Sequence, residues 1–285
     1  MDDADLEALD AYFDAAPRSS ARAVETGAFT LFVSRTAWSY YARPARTHPD
    51  PITPADLVHL EQACTEHRVV PAIEWIDELH PELTPAAAGF GLTVQSHALM
   101  VASGAPGPAT RDLPGGLTVG LVGADDPELL QGRAVADLAF GAETQTRTTG
   151  PAERMAAAAR LSADLVEHLR TRHRLGLTVT ALAHSDQDGV LAIGSYQPVG
   201  EIAEIVGVAT LPSARRQGLA GAVTTFLVAH ARAQGIRTVL LSAQNADVAR
   251  LYERVGFRRI GSTGAAERPT APQLQPHPDP QHIRI

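Results

Sequence analysis

The stretch Ile205-Val206-Gly207-Val208-Ala209-Thr210-Leu211-Pro212-Ser213-Ala214-Arg215-Arg216-Gln217-Gly218-Leu219-Ala220-Gly221 decides the fold. Its β-branched and small residues read as the end of a strand over 201–210, Leu211-Pro212-Ser213 as a turn, and Gly218 as the opening of a helix over 218–234. A helix start leaves backbone N–H groups unpaired at its positive end, so such a strand-turn-helix can hold a pyrophosphate. Gly218 and Gly221 let phosphates approach the backbone, and Arg215 and Arg216 offer charge-assisted contacts of roughly 1.5–3 kcal/mol each. Taken alone, the same residues equally suit an ordinary strand-turn-helix.

The residues downstream narrow the choice. A strand over 237–242 leads to Asn245, a helix N-cap, and a helix over 246–255 ended by Gly256. At about 100° per residue, Asn245, Ala249 and Tyr252 share one face, while Leu251 and Val255 take a neighbouring face towards the core. A cap, a small residue and a phenol in line suit a thin ligand lying along the helix. Singly, Asn245 is as well explained as a plain cap and Tyr252 as a core residue. Upstream, strands are expected at 117–122, 175–184 and 190–197, the last two joined by a hairpin ending in Asp188-Gly189. Helices are expected from Pro127 and over 151–173, the latter with Met155, Ala158, Leu161, Leu165 and Leu169 as its inner stripe. Residues 257–262 read as a strand, and the proline-rich run from 265 to 285 as disordered or draped over the surface.

The chain has 285 residues, enough for two domains. Residues 103–116 hold four Gly and three Pro and mark the boundary. This gives a front domain at 1–104, a linker at 105–114, a back domain at 115–263 and a tail at 264–285. All 24 basic side chains are arginine. Without lysine, Schiff-base chemistry, a lysine nucleophile and a GK[ST] phosphate loop are excluded. Net charge −8 argues against a nucleic-acid partner. Residues 1–110 carry 6 Arg against 15 acidic side chains, and residues 111–285 carry 18 against 17. The acidic front half would favour a cationic substrate, although a solvated acidic surface explains it more simply. The lone Cys64, on a helix over 57–69, reads as a buried structural thiol. The acidic start and the lack of an apolar run near about 18 residues argue against a signal peptide or membrane span, so the cytoplasm is the expected compartment. His184, His277 and His282 have no companion ligands, and no metal is expected.

In the front half, strands are expected at 29–33, 37–41, 69–76 and 92–102, with helices after Thr53-Pro54 and over 80–88. Trp38, Tyr40, Tyr41 and Trp75 read as packing residues. Gly89-Phe90 before a strand echoes Gly256-Phe257. Counting back the same distances puts Glu78 at the place of Asn245 and Pro85 at that of Tyr252.

Residues 206–257 resemble the GCN5-related N-acetyltransferase (GNAT) superfamily. Arg215-x-x-Gly218-x-Ala220 matches its [RQ]-x-x-G-x-[GA] motif, and Asn245, Leu251-Tyr252 and Gly256-Phe257 match its last helix and strand. Val248 departs from the small residue usual there. The resemblance implies an α/β fold with a mixed central sheet flanked by helices, and makes residues 1–104 a second, smaller, degenerate GNAT-like domain. The family's final strand has no clear counterpart in the tail.

The resemblance also implies a site. Acetyl-CoA would lie between the strands at 201–210 and 237–242, its pantetheine arm paired with the backbone of Val208, Ala209 and Thr210. The N–H groups of Gln217, Gly218, Leu219, Ala220 and Gly221, with Arg215 and Arg216, would hold its pyrophosphate, and Asn245 and Ala249 would flank it. The N–H near Val208 would polarise the thioester carbonyl, and Tyr252 would protonate the leaving thiolate. Glu204 is the first candidate base because it shares strand parity with Val206, Val208 and Thr210. Glu201 is the second, and both also suit a solvated strand carboxylate. The implied reaction is direct transfer to a primary amine of a small molecule or peptide, by a monomer or homodimer. The alternatives are a non-catalytic acyl-CoA-binding or regulatory protein, and O-acyl or longer-acyl transfer.

Overall fold

The computed structural model describes residues 3–36, 39–103, 116–141 and 149–268. The expected linker at 105–114, Trp38, His277 and His282 lie outside the described residues. The chain divides into two compact units. Among the described residues the first holds 3–100, 242–250 and 259–268, and the second holds 101–241 and 251–258.

In the first unit, helix α1 (Asp3–Ala15) buries Leu6, Leu9, Tyr12 and Phe13, the spacing of a single helical face. Strands β1 (Ala21–Thr26) and β2 (Phe29–Ser34) form an antiparallel hairpin, and β2 continues to the two-residue β3 (Arg43–Pro44). The strand expected over 37–41 is not formed at 39–41. Pairing begins only at Ala42, which bridges Ile73. Helix α2 (Pro54–His67) starts as its sequence predicts. Thr53 is the N-cap, Pro54 stands first, and the Asp56 carboxylate accepts from the Thr53 N–H at 2.8 Å and hydroxyl at 2.6 Å. Its inner face, Leu57, Leu60 and Cys64, joins Phe29, Ile73 and Trp75 in one core. Burial pushes the Cys64 thiol up to about 11, the state of a structural rather than a reactive cysteine. Strand β4 (Ala72–Ile76), helix α3 (Leu83–Gly89) and strand β5 (Thr93–Ala102) follow.

The second unit runs through β6 (Leu117–Val122), α4 (Glu128–Phe140), α5 (Pro151–Ala158), α6 (Ala163–Arg174), β7 (Val179–Ser185), β8 (Gly189–Val199), β9 (Ile202–Thr210), α7 (Leu219–Ala233) and β10 (Thr238–Ala243). Helix α8 (Ala246–Arg254) and strand β11 (Phe257–Glu267) complete the elements among the described residues. The strand order β10-β9-β8-β7-β6 is mixed, with β9 and β10 parallel and the other neighbours antiparallel. Helix α4 lies against Leu182 and Ile193 on one face, and α7 lies against Gly194 through Val223 and Leu227 on the other. The single helix expected over 151–173 is two helices. Ser162 interrupts it by accepting the Leu165 N–H at 3.3 Å as a fresh N-cap, and Met155, placed on the expected inner stripe, is 51% exposed.

The first residues of the expected tail, 264–267, also differ from expectation. Strand β11 continues beyond residue 263 to Glu267, pairing antiparallel with β4 and setting Gly264 opposite Trp75. Gly-Ala-Ala has weak strand propensity, and tertiary pairing overrides it. A side chain at Gly264 would place its Cβ 2.2 Å from ring carbons of Trp75, which is fully buried and cannot move aside. Gly264→Ala is therefore expected to destabilise the protein by about 1–3 kcal/mol. Urea unfolding followed by tryptophan fluorescence measures this, and an unchanged midpoint would contradict the packing described.

Candidate functional site

Strands β9 and β10 start side by side and then part. Their parallel register covers Ile202 with Thr238, Ala203 with Val239 and Glu204 with Leu240, and stops there. On its other edge β9 stays with β8, but between the pairs Ser195–Val206 and Ile193–Ala209 the register shifts. Gly194 there faces both Gly207 and Val208. Gly207 has φ +61, so the extra residue is absorbed as a bulge in a conformation that suits glycine. A bulge bends its strand, and the edge of β9 from Ile205 to Thr210 has no strand partner on the β10 side among the described residues.

The bulge also corrects the parity expected along β9. Glu204 and Val206 pair with Gln197 and Ser195 and share their face. Val208 points the other way, within 3.3 Å of the Cβ position of Gly194 on the α7 side. A strict alternation assumes no inserted residue, and Gly207 inserts one. Glu204 is 8% exposed and stands in the last β9–β10 pair, at the point of the fork. Glu201 is not brought to the fork. It precedes β9, and its exposed carboxylate pairs with Arg237 at 3.1 Å.

Beyond β9 a short 3-10 turn, Pro212–Ala214, leads to α7. Arg216 has φ +68 and Gly218, the N-cap, φ +82. Left-handed steps of this kind turn successive N–H groups to one side, the arrangement of anion-binding nests. The first intrahelical bond is made by the Ala222 N–H to Gly218, so the N–H groups of Leu219, Ala220 and Gly221 precede the ladder. Nothing lies within 4 Å of a Cβ built on Gly218, whereas one on Gly221 would lie 3.2 Å from Val255 Cγ1. Gly218 thus serves the open loop, and Gly221 serves the close approach of α7 to Val255. Arg216 and Gln217 are exposed, as is Arg215, whose Nη2 donates to the Ala139 carbonyl at 3.1 Å.

Asn245 caps α8 as expected, its Oδ1 accepting from the N–H groups of Asp247 at 3.1 Å and Val248 at 3.0 Å. Ala249 follows on the same helix, its N–H bonded to the Asn245 carbonyl. Tyr252 is 8% exposed and its ring packs against Phe257 at 5.8 Å between centroids. Burial pushes its phenol up to about 12. Sequence reasoning missed the bulge; its signal was the single Gly207 inside an otherwise β-branched strand. Among the described residues no group of three or more His, Cys, Asp or Glu is placed to hold a metal ion, and no helix is long and apolar enough to cross a membrane.

Residues 146–257 match the family described as the acetyltransferase (GNAT) family. The fold is similar to that of a GCN5-related N-acetyltransferase from Kribbella flavida, at 19% identity and TM-score 0.66, covering 93% of this chain and 96% of that one. It is similar also to a GCN5-related N-acetyltransferase-like protein from Streptococcus suis, at 14% identity and TM-score 0.55, covering 92% and 97%. A tandem GNAT protein from the clavulanic acid biosynthesis pathway matches at 12% identity and TM-score 0.55, covering 85% and 79%. No curated protein matches the chain.

A neutral phenol held by burial contributes stability that is fully present below its unfolded value near pH 10 and is lost as pH rises through about 12. At about 1.4 kcal/mol per pH unit, this amounts to roughly 2–3 kcal/mol. Tyr252→Phe should flatten the alkaline fall in stability between pH 10 and 12, read by urea unfolding at stepped pH. An equally steep fall in the variant would show that Tyr252 is not the group responsible.

Proposed function

We propose, on the match of residues 146–257 to the acetyltransferase (GNAT) family, that the protein transfers an acetyl group from acetyl-CoA to a primary amine of a small molecule or peptide within a ternary complex. The observation that carries this reading is the fork. A strand edge without a strand partner, Ile205 to Thr210, runs directly into a helix whose first N–H groups precede its hydrogen-bond ladder. The edge suits an amide-bearing arm that docks like an added strand, and the N–H groups of Gln217 to Gly221 suit a pyrophosphate. With no lysine in the chain, Arg216 and Arg215 are the cations next to that anion. Acetyl-CoA supplies an acyl group already activated as a thioester.

The roles we assign to this chain's residues are ones that their placement suits. The N–H groups at the Gly207–Val208 bulge polarise the acyl carbonyl. Tyr252, neutral through burial, delivers a proton to the departing thiolate. An alkylammonium is deprotonated to only about one part in 2,500 at pH 7, a barrier of roughly 4.6 kcal/mol. Glu204 at the fork attracts that cation and takes its first proton. Asn245 and Ala249 are carried as cofactor neighbours by the family resemblance alone. We read residues 115–263 as the catalytic domain and residues 1–104 as a degenerate GNAT-like one. In the front unit Glu78, which falls at the counted place of Asn245, accepts the Ser262 N–H at 3.0 Å and hydroxyl at 3.1 Å instead of capping a helix.

Acetyl-CoA at 100 times its Kd is expected to stabilise the protein by about 2.7 kcal/mol. Tyr252→Phe should keep that stabilisation and lower CoA release to an amine by about 100-fold. Full activity in the variant would remove Tyr252 from the reaction. Binding of acetyl-CoA without release of CoA to any amine, peptide or aminoglycoside would favour a non-catalytic acyl-CoA-binding protein.

A further inference from the structure

The face of the sheet that carries Glu204 also carries a chain of hydrogen bonds that the roles above leave unused. His173, near the end of α6, has Nδ1 2.8 Å from the Leu169 carbonyl and Nε2 2.8 Å from Thr180 Oγ1. Thr180 Oγ1 is in turn 2.7 Å from Ser195 Oγ. A carbonyl only accepts, so Nδ1 carries a proton and donates to Leu169. Burial and the nearby Arg172 hold the His173 ring below its ordinary value, so at neutral pH it is uncharged and Nε2 is an acceptor. Every proton in the chain then has a direction. The Ser195 hydroxyl donates to Thr180 Oγ1, the Thr180 hydroxyl donates to His173 Nε2, and the His173 Nδ1–H donates to Leu169.

Ser195 ends this chain at a significant place. It pairs with Val206, the last regular position of β9 before the Gly207 bulge, on the face opposite α7. It is half-buried, while Thr180 behind it is buried. Gln197 and Glu204 form the next like-facing pair along the same strands.

An ammonium that becomes an amide loses two protons, one before it attacks and one as the C–N bond forms. We propose that Ser195, Thr180 and His173 form a proton relay that takes the second of these, a proposal that rests on the acetyl-transfer reading above. As the amine nitrogen bonds to the acyl carbon and the C–S bond breaks, its proton passes to Ser195 Oγ. Ser195 passes its own proton to Thr180, and Thr180 passes its own to His173 Nε2, which becomes an imidazolium. Each hydroxyl finishes with one proton, and the thiolate takes its proton from Tyr252.

The test uses the full chain with spermidine, kanamycin or a lysine-containing hexapeptide as acceptor, whichever releases CoA fastest. Ser195→Ala and Thr180→Val should lower kcat by about 100-fold with KM for acetyl-CoA unchanged, and Ser195→Thr should recover most of the loss. Rates within twofold of wild type in both would overturn the relay. Failure of the wild type to bind acetyl-CoA would instead overturn the reading on which it rests. One measurement needs no acceptor. A long-range proton–nitrogen correlation spectrum should show His173 protonated on Nδ1 alone at pH 7, with the Nε2 signal moving in Thr180→Val. A ring protonated on Nε2 would overturn the proposal.

Discussion

The constraint on which the site depends is the positive φ of Gly207. A residue with a Cβ pays steric energy there, of order 1 kcal/mol, and glycine does not. That one conformation inserts a residue into β9 relative to β8 and bends the strand, just beyond Glu204, where the ladder with β10 stops. The bend has an energetic consequence. Backbone groups from Ile205 to Thr210 forgo a neighbouring strand, and a buried group left unsatisfied costs about 1–3 kcal/mol. Water or a docked chain must satisfy them. A bulge set between two packed helices thus leaves a strand edge on which an extended ligand can pair.

Which parts of this arrangement were readable in the sequence follows from how local each signal is. The turn at Leu211-Pro212-Ser213, the capped starts at Thr53-Pro54 and Asn245, and the small-residue opening of α7 are decided within a few residues, and each stands where its sequence placed it. The departures all depend on distant partners. Parity along β9 failed because Gly207 only hints at a bulge, and the inserted residue is fixed by its register with β8. The role of Gly221 is set by Val255, over thirty residues away in sequence. Residues 264–267 looked like tail because Gly-Ala-Ala lacks strand propensity, yet Trp75 requires a residue without a side chain opposite it. The relay of His173, Thr180 and Ser195 joins a helix to two strands, and no spacing rule links them.

The absence of lysine is expressed inside the protein as well as at the anion site. Buried cations are held by the planar, several-donor guanidinium, which an ammonium cannot replace. Arg154 Nη1 donates to the carbonyls of both Asp188 and Val190, fastening α5 to the start of β8. Arg172 donates to the Thr178 hydroxyl at 2.9 Å and the Leu177 carbonyl at 3.3 Å, closing the end of α6 onto the approach to β7. In the front unit Arg43 pairs with Glu74 beneath the ring of Phe13, and burial raises the Asp10 carboxyl nearby. Some of the acidic excess of the first 110 residues is therefore interior, where it faces arginine, Glu74 against Arg43 and Asp10 against Arg46, and is not a surface field for a cationic substrate.

The same logic of burial links the two proton-handling ends of the second unit. Desolvation penalises whichever form is charged, so it raises an acid and lowers a base. It holds Tyr252 as a neutral phenol and His173 as a neutral imidazole. One is left with a proton to give and the other with a lone pair to receive. Neither resting state places an ion in the interior, and in the proposed reaction each would become charged only in passing. If both were charged at rest, the proposed reaction would lack a donor for its thiolate and an acceptor for its amine. Two opposite roles therefore follow from one physical cause, and the side-chain type decides which role each residue takes.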